Sequence, residues 1–203
     1  MTRIIAGRAG SLRLDVPKAG TRPTSDRVRE AIFSALESWG MTDGTRVLDL
    51  YAGSGALGLE AASRGASAVV LVEKHAPAAQ VAQRNARTVL TAFEREESRP
   101  VIDVVRQSAQ GYVDAAAERA AGGAAAPDRW DVVMLDPPYD LGEAELTANL
   151  ASLVPLLADD AVVLVERSSR SPEPTLPDGL SPLRDRRYGE TVLWWCELSS
   201  REG

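Results

Sequence analysis

Apolar positions follow two regimes along the chain. From residue 45 onward, short Val/Leu/Ile/Ala runs at 46–51, 68–72, 101–105, 131–135 and 161–166 alternate with longer segments near 56–63, 77–90, 109–120 and 143–156. In those segments apolar residues recur at three- and four-residue spacing. Near-continuous apolar runs predict strands covered on both faces, and the segments between them predict the covering helices. This order is that of an α/β fold with a mostly parallel sheet. Two further runs, 183–188 and 191–198, are joined directly by Gly189-Glu190, so a terminal antiparallel hairpin is expected. In that last strand Trp194 and Trp195 point to opposite faces. Residues 170–182 hold four prolines and read as a loop, and 115–127 as a helix end with an Ala/Gly-rich linker.

Ahead of residue 45 the pattern differs. Residues 3–6 and 12–16 flank a glycine-containing turn and predict a small hairpin. Pro23-Thr24-Ser25-Asp26 then opens a helix with Thr24 or Ser25 as N-cap. Val28, Ala31, Ile32, Ala35, Leu36 and Trp39 supply its buried face, and Gly40 ends it. The expected division is a hairpin and basic helix over 1–40, followed by the α/β body over 41–203.

Composition narrows the chemistry. The 203 residues are 44% hydrophobic and 26% charged, enough to bury the core of one domain. With one Cys (Cys196) and one His (His75), a disulfide framework, a zinc finger and a Cys/His cluster are excluded, and no metal is expected. A nucleophilic triad could draw only on His75. No apolar run approaches the roughly 20 residues that span a bilayer, and residues 1–8 lack the apolar core of a signal peptide. A soluble, cytoplasmic monomer is expected.

Charge alters the picture more. The net charge of −6 argues against general nucleic-acid binding, but it is an average. Residues 1–30 hold seven cations and three acids, while the rest hold 16 cations and 26 acids. Arg22, Arg27 and Arg29 on the leading segment are therefore candidate phosphate contacts. Arg184, Arg186 and Arg187 form a second cluster on the tail.

Two motifs carry chemistry. Val47-Leu48-Asp49-Leu50-Tyr51-Ala52-Gly53-Ser54-Gly55-Ala56-Leu57-Gly58 is a strand running through a glycine turn into a helix, with G-x-G-x-x-G at 53, 55 and 58. Glu73 follows twenty residues after Gly53, at the end of the next strand. This alone satisfies a dinucleotide fingerprint. Asp49, however, stands where a pyrophosphate would lie and would repel it. Its carboxylate suits a cationic ligand bearing an ammonium and a sulfonium, S-adenosylmethionine. The second motif is Trp130-Asp131-Val132-Val133-Met134-Leu135-Asp136-Pro137-Pro138-Tyr139. Two prolines remove backbone donors, leaving a carboxylate, carbonyls and an aromatic face. Such a strand tip can hold an exocyclic amino group by its hydrogens while Tyr139 stacks on the base.

Together these motifs resemble class I S-adenosylmethionine-dependent methyltransferases with a D-P-P-Y motif. Further stretches sharpen the likeness: Arg3-Ile4-Ile5-Ala6-Gly7, Arg22–Phe33, Val72-Glu73-Lys74 and Gly189-Glu190-Thr191. With them the chain resembles the bacterial 16S rRNA guanine-N2 methyltransferases, the RsmD family. The resemblance implies a Rossmann-like, seven-stranded sheet with a reversed terminal hairpin. It also implies methylation of the N2 amino group of a guanine in 16S rRNA, within the small subunit or its assembly intermediate. Asp49, Tyr51, Ala52, Gly53, Ser54 and Gly55 would then line the methionine part of the cofactor. Glu73, with Lys74 beside it, would hold the ribose, and Ser108 and Ala109 would stand at the adenine. Asp136, Pro137 and Tyr139 would form the catalytic pocket for the displaced base. Other planar amino nitrogens (adenine N6, cytosine N4, a glutamine side chain) fit D-P-P-Y as well. A nicotinamide-dependent oxidoreductase would leave that motif unexplained, and a non-catalytic RNA-binding factor would show no turnover.

Overall fold

The computed structural model describes residues 2–17, 25–94, 99–122 and 129–199. Nine strands and five helices are present among them: β1 (Thr2–Arg3), β2 (Arg13–Leu14), α1 (Asp26–Ser38), β3 (Arg46–Leu50), α2 (Ala56–Ser63), β4 (Ala68–Val72), α3 (Ala76–Leu90), β5 (Val101–Val105), α4 (Ala109–Ala121), β6 (Trp130–Leu135), α5 (Glu143–Leu153), β7 (Leu157–Ser168), β8 (Leu180–Tyr188) and β9 (Thr191–Leu198). Seven strands form one sheet in the order β5-β4-β3-β6-β7-β9-β8. The five on the β5 side run parallel, and β9 is antiparallel to both its neighbours, β7 and β8. The chain leaves β3 outward through β4 and β5, then returns to β6 on the opposite side of β3. That reversal opens a crevice at the carboxyl ends of β3 and β6, where open α/β sheets bind ligands.

Strand side chains alternate between two apolar layers. Val47, Val69, Leu71, Met134, Leu164 and Trp195 pack with α1, α2 and α3. Leu48, Leu50, Val72, Leu135, Val163 and Cys196 pack with α4 and α5. Trp195 is buried and meets Trp39 edge-on, centroids 4.9 Å apart, whereas Trp194 is only partly buried on the other layer. Burial pushes the Cys196 thiol up to about 12, which keeps it an inert core residue.

Several expectations are adjusted. The leading hairpin pairs Thr2 with Leu14 and Arg3 with Arg13 and closes through backbone hydrogen bonds of Ile4 with Leu12 and Ser11; beyond these its loop is held by α2. Buried Glu60 accepts the backbone N–H groups of Ile5 (2.7 Å) and Ala6 (3.0 Å), and the Ser63 hydroxyl accepts that of Ala9. A Cβ at Gly7, whose φ is +79°, would collide with the Ser63 carbonyl, so this docking requires glycine. Ile4, Leu14, Val28 and Phe33 share one core with the sheet, so the described part of 1–40 packs as a layer of the α/β body. β7 starts four residues early because its register with β6 jumps between Trp130 and Val132, letting Ala158–Asp160 bulge outward. β8 begins at Leu180 rather than 183; as the outermost strand it accommodates Pro182 where a second register shift occurs.

Ser25 is the N-cap of α1, its hydroxyl accepting from Val28 N; Thr24, its alternative, lies outside the described residues. Gly40, at φ +72°, closes the helix, with Met41 N donating back to Leu36 O. One expectation fails here. Arg29 is fully buried: its guanidinium donates to the Arg3 carbonyl (2.7 Å) and pairs with Asp26 (2.8 Å). It fastens β1 to α1 and is not available to a phosphate. Arg27 is exposed on the same helix, and Arg22 lies outside the described residues.

Candidate active site

The end of β3 and the loop after it form one wall of the crevice. Gly55 caps α2 in the left-handed region (φ +80°), and having no side chain it cannot cap the helix's free N–H groups. Asp49 does so instead, its Oδ2 accepting from Gly58 N at 2.9 Å. Gly58 itself must be glycine, since a Cβ there would lie 2.3 Å from Leu71 and 3.2 Å from the Asp49 Cβ. At Gly53 (φ +55°) a Cβ would meet nothing within 4 Å, so the loop faces open space. Tyr51 has the unusual φ of +64°, and its hydroxyl donates to Asn149 Oδ1 of α5 at 2.7 Å. Its ring is thereby used for packing, and its main chain is what remains to line the crevice. Ala52 N donates to Val72 O, and the Ser54 carbonyl accepts from buried Asn85 of α3.

Glu73, at the end of β4, braces the same loop. One carboxylate oxygen accepts from Gly53 N (3.0 Å) and the other from His75 N (2.6 Å). A carboxylate has about four lone-pair sites, so two remain for hydroxyl donors. Lys74 is exposed beside it. Glu73 N in turn donates to Val105 O, which brings the end of β5 alongside. There Ser108 caps α4 and is exposed, while Ala109 is buried beneath it.

The tip of β6 forms the opposite wall. Leu135 pairs with Leu50, so Asp136 stands level with Tyr51 across the switch point. Asp136, Pro137, Pro138 and Tyr139 line a pocket whose other side is built by Glu166, Arg167, Ser168, Ser171 and Thr191. Pro137 is buried, while Tyr139 is 72% exposed, its ring free for a planar partner. Behind the motif, Arg167 of β7 donates to the Leu141 carbonyl (3.3 and 3.4 Å) and pairs with Glu143. Arg167, Glu143, Asn85 and Asn149 are site residues that sequence reading missed. The one available signal was Arg167 itself, a cation at the end of an apolar strand.

Electrostatics identify the kind of ligand. Asp49 is 1% exposed, and burial pushes its carboxyl up to about 7 despite the Gly58 hydrogen bond; the charges of Asp136 and Glu73 push in the same direction. Three carboxylates thus converge on the crevice below an open glycine loop. A pyrophosphate there would add to the repulsion, and a cation would relieve it. The site fits S-adenosylmethionine in charge, in the acceptors left on Glu73 and in the clearance before Gly53.

Over residues 2–197 the chain matches the protein family described as Conserved hypothetical protein 95. It is 34% identical over 191 residues to the ribosomal RNA small subunit methyltransferase D of Escherichia coli K12, covering 94% of this chain and 86% of that one. The chain belongs to this methyltransferase family. A solved structure of a hypothetical protein from Thermus thermophilus superposes with a TM-score of 0.76 at 32% identity, covering 98% of this chain and all of the other. The magnesium protoporphyrin IX methyltransferase of Synechocystis, solved with bound SAM, shares the fold alone, at 17% identity, a TM-score of 0.60 and coverage of 89% and 87%. The expected class I methyltransferase fold, with its reversed terminal hairpin, is borne out. Family membership makes the chain an enzyme of methyl transfer with S-adenosylmethionine as cofactor. Among the described residues no helix is long and apolar enough to cross a membrane.

Proposed function

We propose that the protein methylates the exocyclic N2 amino group of one guanine in 16S rRNA, using S-adenosylmethionine. The observation that carries this reading is the pairing of two strand tips across the switch point. Asp49 and the glycine loop face Asp136-Pro137-Pro138-Tyr139, closely enough for the two acids to sense each other's charge. A donor site and an amino-acceptor site thus share one crevice.

S-adenosylmethionine supplies an electrophilic methyl group on a sulfonium. Asp49 and the main chain of residues 51–55 hold its methionine end, and Glu73, with Lys74 beside it, holds the ribose. Ser108 and Ala109 border the adenine. A guanine amino group is a poor nucleophile because its lone pair is delocalised into the ring. Asp136 and the Pro137 carbonyl accept its hydrogens and return electron density to the nitrogen, and Tyr139 stacks on the displaced base. Catalysis is chiefly positioning and desolvation, and the amino proton leaves to solvent after attack. Arg27 and the exposed face of the described part of the leading segment contact rRNA phosphates, with the small subunit or its precursor as substrate and the cytoplasm as the place of action.

The test uses small ribosomal subunits lacking the modification, labelled cofactor and Asp136→Ala. The variant is expected to retain cofactor binding in calorimetry, changed only modestly by the loss of one of the three crevice carboxylates. Its methyl transfer should fall about 100- to 1,000-fold, the scale of losing one preorganised polar group at a reacting centre. Nucleoside analysis of the wild-type product should yield N2-methylguanosine. Near-normal transfer by the variant, or a methylated adenine or cytosine, overturns the reading.

A further inference from the structure

Tyr51 stands in an unfavourable backbone conformation at the head of the glycine loop. With Ser11 it is one of two non-glycine residues at positive φ among the described residues, at +64°, and Gly53 and Gly55 follow at +55° and +80°. The left-handed region is disfavoured for a bulky residue, and such strain persists only where the surroundings hold it. Tyr51 is anchored by the far end of its side chain, the hydroxyl donating to Asn149 Oδ1 of α5 at 2.7 Å. Burial pushes that hydroxyl up to about 12, so it remains a donor at neutral pH.

Asn149 is fully buried and interrupts an apolar face formed by Leu146, Leu150 and Leu153. A buried amide is costly unless its polar atoms are met. Here its Nδ2 donates to Gln110 Oε1 (2.7 Å) and to the Glu145 carbonyl (2.8 Å), while Oδ1 receives Tyr51. Gln110 Nε2 in turn donates to Asp114 (2.7 Å) and Ser152 (3.2 Å), and Ser152 donates to Asp114. Four members of this network lie on α4 and α5 and would serve as a bond between two helices. Tyr51 comes from outside the pair, and its hydroxyl is the link to the loop. At the other end, Gln110 follows Ser108 and Ala109 directly, in the first turn of α4. One buried amide therefore joins the turn after β3 to the start of α4, the two ends of the crevice assigned above to the methionine part and to the adenine.

We propose that Asn149 is a positioning residue of the cofactor site, holding Tyr51 in its left-handed turn and fixing that turn against the start of α4. The proposal rests on the placement of S-adenosylmethionine given under the proposed function. Its test measures cofactor affinity by calorimetry, and stability by urea unfolding, for Tyr51→Phe, Asn149→Leu and the double variant. Tyr51→Phe removes a single oxygen and keeps the ring. Each single variant should weaken S-adenosylmethionine binding about 2- to 12-fold, the worth of one hydrogen bond. The double variant should bind no more weakly than the worse single one, because both substitutions remove the same interaction. The cofactor KM should rise in step, while the KM for small subunits holds. Unchanged cofactor affinity in Tyr51→Phe, whatever happens to its urea midpoint, would make the network a brace between helices and overturn the proposal. Additive losses in the double variant would overturn it as well. Should Asn149→Leu fail to fold, Tyr51→Phe alone decides. Asp49→Asn at pH 8 checks the placement itself: if it binds the cofactor as tightly as the wild type, that placement fails and the proposal falls with it.

Discussion

In the proposed function Asp49 serves folding and binding with the same atoms. It caps α2, and it carries a carboxyl pushed up to about 7 from 3.8 by burial beside two other acids. A raised acid means that the fold favours the protonated form. Asp49 therefore costs stability progressively as pH rises from about 4 to 7, and the full cost persists above that. A cationic cofactor favours the carboxylate, so binding must expel the proton below pH 7. S-adenosylmethionine affinity should weaken about tenfold per pH unit below 7 and level off above it. Asp49→Asn should flatten that profile and bind more weakly at pH 8. Calorimetry between pH 5.5 and 8.5 checks both, and a flat wild-type profile would count against the assignment. The acid itself was legible in the sequence, from its place before the glycine turn. Its bond to Gly58 N was not, because that depends on a helix beginning with a residue that cannot cap itself. Arg29 was misread for a related reason. It lies three and seven residues before Ile32 and Leu36, on the apolar stripe, and spacing should have outweighed charge.

Among the elements, α2 bears the most varied duties. Its first turn abuts the cofactor loop, and its last holds the leading segment. Glu60 is fully buried, accepts two backbone N–H groups from Ile5 and Ala6, and pairs with Arg64 at 2.8 Å. Arg64 reaches on to Glu37 of α1 at 2.6 Å. Removing the carboxylate leaves the half-buried N–H groups of Ile5 and Ala6 without their acceptor and Arg64 with Glu37 alone. Glu60→Ala should destabilise the protein by about 3–5 kcal/mol, read as a lowered urea midpoint. Glu60→Gln, which keeps an acceptor, should cost visibly less. Equal, small effects would show that the segment docks through its apolar residues alone. Strand and helix identities were readable along the chain because periodicity reports which faces are covered. The short hairpin, the early start of β7 and the entry of β8 were not. Each is set by long-range partners (Glu60 and Ser63, the β6 register, β9) that no local window contains.

At the scale of the molecule, the net charge of −6 hides a surface arrangement with direction. The acids at Asp49, Glu73 and Asp136 gather in the crevice, where the proposed function puts a cationic cofactor. Exposed arginines lie elsewhere, and one group is held level with the pocket. Val192 of β9 pairs with Arg167 on one side and with Arg187 on the other, so a row crosses the sheet from the pocket wall to its outer edge. Arg186 and Arg187 are exposed on that edge strand, where they also discourage pairing with another sheet. Arg27 is exposed on α1. On the proposed function, Arg27, Arg186 and Arg187 are candidate phosphate contacts for a structured rRNA substrate. Every cation withdrawn from a phosphate should lower the slope of log affinity against log salt by about 0.7–0.9. Arg186→Glu with Arg187→Glu should therefore reduce that slope by about 1.5 and weaken small-subunit binding, with cofactor affinity unchanged. Arg27→Glu should reduce it by about half as much. Filter binding across a salt series measures both. If neither variant alters the slope, the base pocket alone holds the RNA, and the positive charge of the leading segment serves only to dock it on the acidic body.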